Sequence, residues 1–87
     1  MPETVIVTIY YAESQGRVLW SDFELPFAAP FASYQESLEN AVKNAFPSMH
    51  LNGRHVRLIW DDMLIGDDDS MLELGIFDGG CLSVRLV

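Results

Sequence analysis

Apolar and polar residues alternate along the first strand-forming stretch, residues 5–11. Val5, Val7, Ile9 and Tyr11 fall on one face, and Ile6, Thr8 and Tyr10 on the other. That is the period of two expected of a half-buried β-strand. A second run answers it: Leu19, Phe23 and Leu25 share one face, and Trp20, Asp22 and Glu24 the other. Ser14-Gln15-Gly16 links the two. A three-residue hairpin loop needs a left-handed residue at its last position, and glycine adopts that conformation without steric cost. Pairing from this loop sets Glu13 opposite Arg17, a favourable cross-strand charge pair. Tyr10 then faces Trp20, Thr8 faces Asp22 and Ile6 faces Glu24 on an outer face. Ile9 with Ser21, Val7 with Phe23 and Val5 with Leu25 form the inner face. A slip of one residue would mix the faces.

Residues 26–32 carry two prolines and break the alternation, which predicts a connector apolar enough to lie against the body. Ser33-Tyr34-Gln35-Glu36 has the form of a capping box, with Ser33 accepting from the Glu36 amide and Glu36 reaching back. Leu38, Ala41, Val42, Ala45 and Phe46 then recur at helical spacing on one face. Glu39 and Lys43 stand four apart on the other side, in the favourable order for an ion pair. Pro47 ends the helix. Residues 48–55 form a polar loop that turns at Asn52-Gly53. An apolar strand follows over residues 56–60, then an acidic turn and a short strand over residues 63–65. Asp67-Asp68-Asp69-Ser70 leads into one helical turn bearing Met71, Leu74 and Ile76. Asp78-Gly79-Gly80 turns the chain into a closing strand, residues 81–87. The elements form a single domain over residues 1–87, without internal repeat or low-complexity segment.

Composition narrows the partner class. Eighty-seven residues, 49% of them hydrophobic, suffice for one core. Thirteen acidic residues oppose five basic ones, a formal charge of -8. Nucleic acid is excluded as a partner, because phosphate contacts need clustered Lys and Arg. An anionic membrane would repel the chain. A basic protein partner fits the charge, and so does a solvated acidic surface with no partner. The lone Cys81 allows no internal disulfide and suits a reducing compartment. The N-terminal stretch has neither a basic region nor a long apolar run, so the expected location is cytoplasmic, with no direct membrane insertion.

No residue is assigned to catalysis, a metal or a cofactor. Asp61, Asp62, Asp67, Asp68 and Asp69 lack the alternating ligands, central glycine and closing glutamate of a calcium-binding loop, and read as a solvated turn. A catalytic thiol needs a base nearby, and nothing in the sequence places His50 or His55 beside Cys81. A partly buried structural cysteine is the expectation. No nucleophile elbow, phosphate loop or dinucleotide fingerprint occurs.

The order and spacing over residues 56–87 resemble the second half of a ubiquitin-like β-grasp domain. Arg57-Leu58-Ile59-Trp60 carries the likeness, with Leu74-Gly75-Ile76, Asp78-Gly79 and the alternating last strand. The first half matches in pattern, with longer hairpin strands and a longer connector than ubiquitin. The resemblance implies an α+β fold, a mixed four- to five-stranded sheet packed on one α-helix, with a short helical turn before the last strand. It places the first and last strands side by side at the centre. Leu38, Val42 and Phe46 would cover them, with Leu58 and Ile76.

By the same resemblance, Ile59 falls where ubiquitin places the central isoleucine of its partner-binding patch, and Arg57 on its basic neighbour. Arg85 and Ser83 replace a valine and a histidine, so the patch is altered. The candidate protein-binding residues on the outer face are Ile6, Tyr10, Trp20, Arg57, Ile59 and Arg85. Tyr, Trp and Arg are enriched at binding hot spots. Scattered exposed apolar residues without a partner are the alternative.

A chain of this size with Met1 at the start of the first strand and no terminal Gly-Gly looks like the YukD/EsaB family. The segment Asn52-Gly53-Arg54-His55-Val56-Arg57 is similar as well. Those are small cytosolic ubiquitin-like accessory proteins of type VII secretion systems in Gram-positive bacteria. The resemblance implies a monomeric, non-catalytic, non-conjugated interaction module whose partner is a secretion-machine component. Ubiquitin is conjugated through a terminal Gly-Gly, whereas Gly79-Gly80 is internal and Lys43 is the single lysine. Two alternatives stay open: a ubiquitin-like domain of a larger protein in the ubiquitin-proteasome pathway, and a modifier whose Gly-Gly tail is missing.

Overall fold

The alternating hairpin is built in the expected register. The computed structural model describes residues 2–87, and its first strands are β1 (Thr4–Ala12) and β2 (Val18–Pro26). Val5 pairs with Leu25, Val7 with Phe23, Ile9 with Ser21 and Tyr10 with Trp20. The Glu13 amide donates to the Arg17 carbonyl at 2.8 Å, and Gly16 takes φ 89° to close the loop. Arg17 Nε bonds Glu13 Oε1 at 2.8 Å.

Then come a 3-10 turn (Phe31–Ser33), helix α1 (Gln35–Ala45), strands β3 (Val56–Trp60) and β4 (Met63–Leu64), helix α2 (Met71–Leu74) and strand β5 (Cys81–Leu86). The sheet order is β2-β1-β5-β3-β4. The first and last strands run parallel at the centre, Thr8 beside Cys81 and Ile9 beside Leu82. β3 is antiparallel to β5, with Leu58 opposite Val84. This is the arrangement expected of a ubiquitin-like α+β fold.

One face of the sheet holds the core. Val5, Val7, Ile9, Leu58 and Leu82 are buried against Leu38, Val42 and Phe46 of α1. Each such side chain contributes about 1.5–3 kcal/mol relative to exposure. The connector is more deeply embedded than a covering strap. Phe27 and Phe31 are among the largest fully buried side chains.

That anchoring corrects the expected helix start. Ser33 does not cap α1; its Oγ donates to the Pro30 carbonyl at 2.7 Å inside the 3-10 turn. Tyr34 stands at the N-cap without a side-chain bond. The Phe31 and Ala32 amides bond the Asp69 and Asp67 carbonyls, so the segment before the helix is already pinned. A serine cap forms instead at α2, where Ser70 Oγ accepts from the Glu73 amide and donates to Glu73 Oε1, both at 3.1 Å.

The stripe on α1 is narrower than the spacing predicts: Ala41 and Ala45 are exposed. Glu39 also turns away from Lys43. Its Oε2 accepts from the Val56 amide at 3.2 Å and from Gln35 Nε2 at 2.8 Å, with His55 Nδ1 at 3.3 Å. His55 and Val87 exchange backbone bonds, so the next amide, Val56, faces away from β5. Two-residue β4 does not reach it. A carboxylate that satisfies a half-buried amide outweighs a solvent-exposed ion pair.

Candidate functional site

Side chains alternate across the sheet, so the face opposite α1 collects the residues between the core positions. The ladders bring five of them into one row across all five strands. Trp20 is opposite Tyr10, Tyr10 is beside Ser83, Ser83 is opposite Ile59, and Ile59 is opposite Leu64. Trp20 is 63% exposed and Leu64 46%. Tyr10 and Ile59 are half-buried between their neighbours.

The flanks differ in charge. Towards the start of β1, Thr8 Oγ1 donates to Asp22 Oδ1 at 2.7 Å, and exposed Ile6 is paired with Glu24. The Ile6 amide donates to Asp78 Oδ1 at 2.8 Å, and the Ile6 carbonyl accepts from Gly79 at 2.9 Å. Towards the other end Arg85 lies exposed, opposite Arg57. Two like charges directly opposite repel.

The Arg57 side chain turns off the outer face. Its guanidinium bonds Asp67 Oδ1 at 2.6 Å and the Ile65 carbonyl at 2.7 Å, and lies 4.6 Å from the Phe31 ring centroid. The side chain is 17% exposed. It clasps the edge of the sheet to the loop after β4. Five of the six candidates, Ile6, Tyr10, Trp20, Ile59 and Arg85, therefore present side chains on the outer face, and Arg57 contributes its backbone position.

The Tyr10 hydroxyl is held above its ordinary pKa, first by the charge that neighbouring Cys81 carries when ionised, then by burial and by Asp22. Tyr10 is thus a neutral phenol at physiological pH and can donate a hydrogen bond to a partner. Cys81 is exposed on this face rather than partly buried, because β5 begins where nothing covers the outer side. Its Sγ–H meets the Gly79 carbonyl at 3.7 Å. His55 is engaged at Glu39, and His50 lies by the hairpin loop. Among the described residues, no group of three or more His, Cys, Asp or Glu is placed to hold a metal ion. Among the described residues, no helix is long and apolar enough to cross a membrane.

Leu64 belongs to the row and was not among the predicted residues. Its signal was the Asp61-Asp62 dipeptide. Both residues take positive φ, 51° and 63°, the two-residue turn that sets Trp60 against Met63 and Ile59 against Leu64. Asp tolerates that conformation better than most residues.

No family model and no curated protein matches the sequence. Solved structures match its fold. The chain is similar to the EccD5 ubiquitin-like domain from Mycobacterium xenopi, with a TM-score of 0.78 and 18% identity over 99% of this chain and 97% of that one. It is similar to the ubiquitin-like domain of the Mycobacterium tuberculosis type VII secretion system protein ECCD1, with a TM-score of 0.71 and 20% identity over 93% and 96% of the two chains. It also matches a chain of a MycP5-free ESX-5 inner membrane complex, with a TM-score of 0.74 and 19% identity. There it covers 99% of this chain and 21% of that one.

Proposed function

We propose that this domain is a non-catalytic, non-conjugated protein-interaction module of a type VII secretion machine, and that it meets its partner with the outer sheet face. The observation that carries the reading is the near end-to-end likeness to the EccD5 and ECCD1 domains, the latter named as part of a type VII secretion system protein. The outer face supports the binding role. Trp20, Tyr10, Ile59 and Leu64 supply apolar surface on either side of a central Ser83, with the Tyr10 phenol as a donor beside it and Arg85 at its flank. Such a mixture of aromatic, aliphatic and arginine side chains suits a hot spot with a polar rim.

Two forms of the reading differ in what the domain is attached to. In the first it works as a YukD/EsaB-type cytoplasmic accessory, a single copy bound non-covalently. In the second it is a domain of a membrane-complex component. The match to 21% of a chain in the ESX-5 inner membrane complex favours the second. Both use the same face.

The test is purification of the tagged protein from its own cells after mild membrane solubilisation, with mass spectrometry of what accompanies it. The expected result is a type VII secretion component together with an unmodified domain, whose intact mass separates the two forms. Absence of any such component, or a ladder of larger species resistant to denaturation, would overturn the proposal.

A further inference from the structure

β2 ends the sheet on one side, and its hydrogen-bonding phase can be counted. Antiparallel pairs alternate between hydrogen-bonded and non-bonded. The Glu13 amide bonds the Arg17 carbonyl at one end of the hairpin, and the Phe27 amide bonds the Glu3 carbonyl at the other, at 3.0 Å. In the register between them, Leu19, Ser21, Phe23 and Leu25 turn their amides towards β1. Val18, Trp20, Asp22 and Glu24 turn theirs outward, and all four residues are exposed. Pro26, next in the same phase, has no N–H and closes the edge.

An open edge of this kind is a template for another strand. Its side chains decide which strand. Asp22 and Glu24 stand on the outer face two residues apart, next to Trp20. In antiparallel pairing of two copies centred on Asp22, carboxylate meets carboxylate, and like charges directly opposite are destabilising. That register is therefore disfavoured for two copies of the chain. A strand with Lys or Arg at alternate positions meets the opposite condition, and a cation or apolar group over Trp20 adds contact area.

We propose that the free edge of β2 is a docking site for an extended basic segment of a partner protein, added as a further strand beside Val18 to Glu24. The site shares Trp20 with the row on the outer face, otherwise lies beyond it, and does not depend on which machine the domain serves. Main-chain bonds supply affinity in this mode, and alternate side chains supply specificity.

The test uses the isotope-labelled full chain and a peptide of about seven residues alternating Lys and Val, long enough to span the open edge. Amide exchange at Val18, Trp20, Asp22 and Glu24 is expected to slow by about tenfold or more on saturation. Asp22→Lys with Glu24→Lys should weaken the peptide by at least about tenfold and favour the analogous Glu/Val peptide. Methylating every second peptide nitrogen should abolish binding in one of the two phases. Three results would overturn the proposal. One is equal binding of both methylated peptides, or no binding at all. Another is protection centred on Ile59 and Ser83. The third is concentration-dependent protection of the β2 amides without peptide, which would make a second copy the occupant.

Discussion

Gly80 is held small by its neighbours rather than by its backbone angle. A Cβ there would lie 2.8 Å from Ile76 Cγ2 and 3.2 Å from the Phe77 carbonyl, and Ile76 is fully buried. Gly80→Ala is expected to cost about 1–3 kcal/mol in chemical denaturation, because the turn into β5 cannot shift without disturbing the core. Tyr34 is the opposite case. Its hydroxyl is buried with no hydrogen-bond partner among the described residues, and burial pushes its pKa up to about 12. Removing an unsatisfied group is close to neutral or favourable, so Tyr34→Phe should leave stability unchanged or raise it by about 1 kcal/mol. A loss of that size would show that the hydroxyl is bonded after all. Neither residue was singled out in the sequence. Gly79-Gly80 read as turn chemistry, and nothing local marks Tyr34 as buried.

Glu39 ties α1 to the first residue of β3, and this contact makes stability depend on pH. Burial raises the Glu39 pKa, but hydrogen bonds from Val56, Gln35 and His55 outweigh it, and the net shift is downward. A depressed folded pKa means stability that is fully present above the ordinary glutamate value and lost as pH falls through the folded one. Glu39→Gln is therefore expected to be about 1 kcal/mol less stable at neutral pH, a charge-assisted bond having become a neutral one. The gap from wild type should close in acid. A constant gap across pH would remove Glu39 as the cause. The elements also show what local sequence conveys. The hairpin register was legible because a period of two and a left-handed Gly16 admit one alignment. The Ser-x-x-Glu pattern occurs at both Ser33 and Ser70, and only Ser70 caps. Long-range bonds from Phe31 and Ala32 to the loop before α2 decide between them, and no local pattern encodes those. The same limit applies to Glu39, whose helical spacing pointed to Lys43 while β3 supplied the stronger partner.

Across the molecule, the sheet separates two tasks. One face is sealed by α1 and the buried connector, and the other carries the mainly apolar row between acidic and basic flanks. The outer-face position of five of the six candidate residues was legible because alternation alone assigns a face to each strand position. Arg57 was misjudged in part: alternation places its Cα, but its guanidinium follows Asp67 and Phe31 around the edge. The net charge of -8 was equally legible, and its distribution was not, because that depends on which strands become neighbours. This face is proposed to hold a type VII secretion component. The most direct test is capture from the native cells by the wild type and by Tyr10→Glu with Ile59→Glu. Both side chains lie on the outer face away from the core, so the double variant should keep the wild-type hydrogen-exchange pattern. Recovery of the secretion component is predicted to fall at least about tenfold, the loss expected when a charge is forced into a desolvated hot spot. Undiminished recovery by a folded double variant would contradict the account and move the interface off this face.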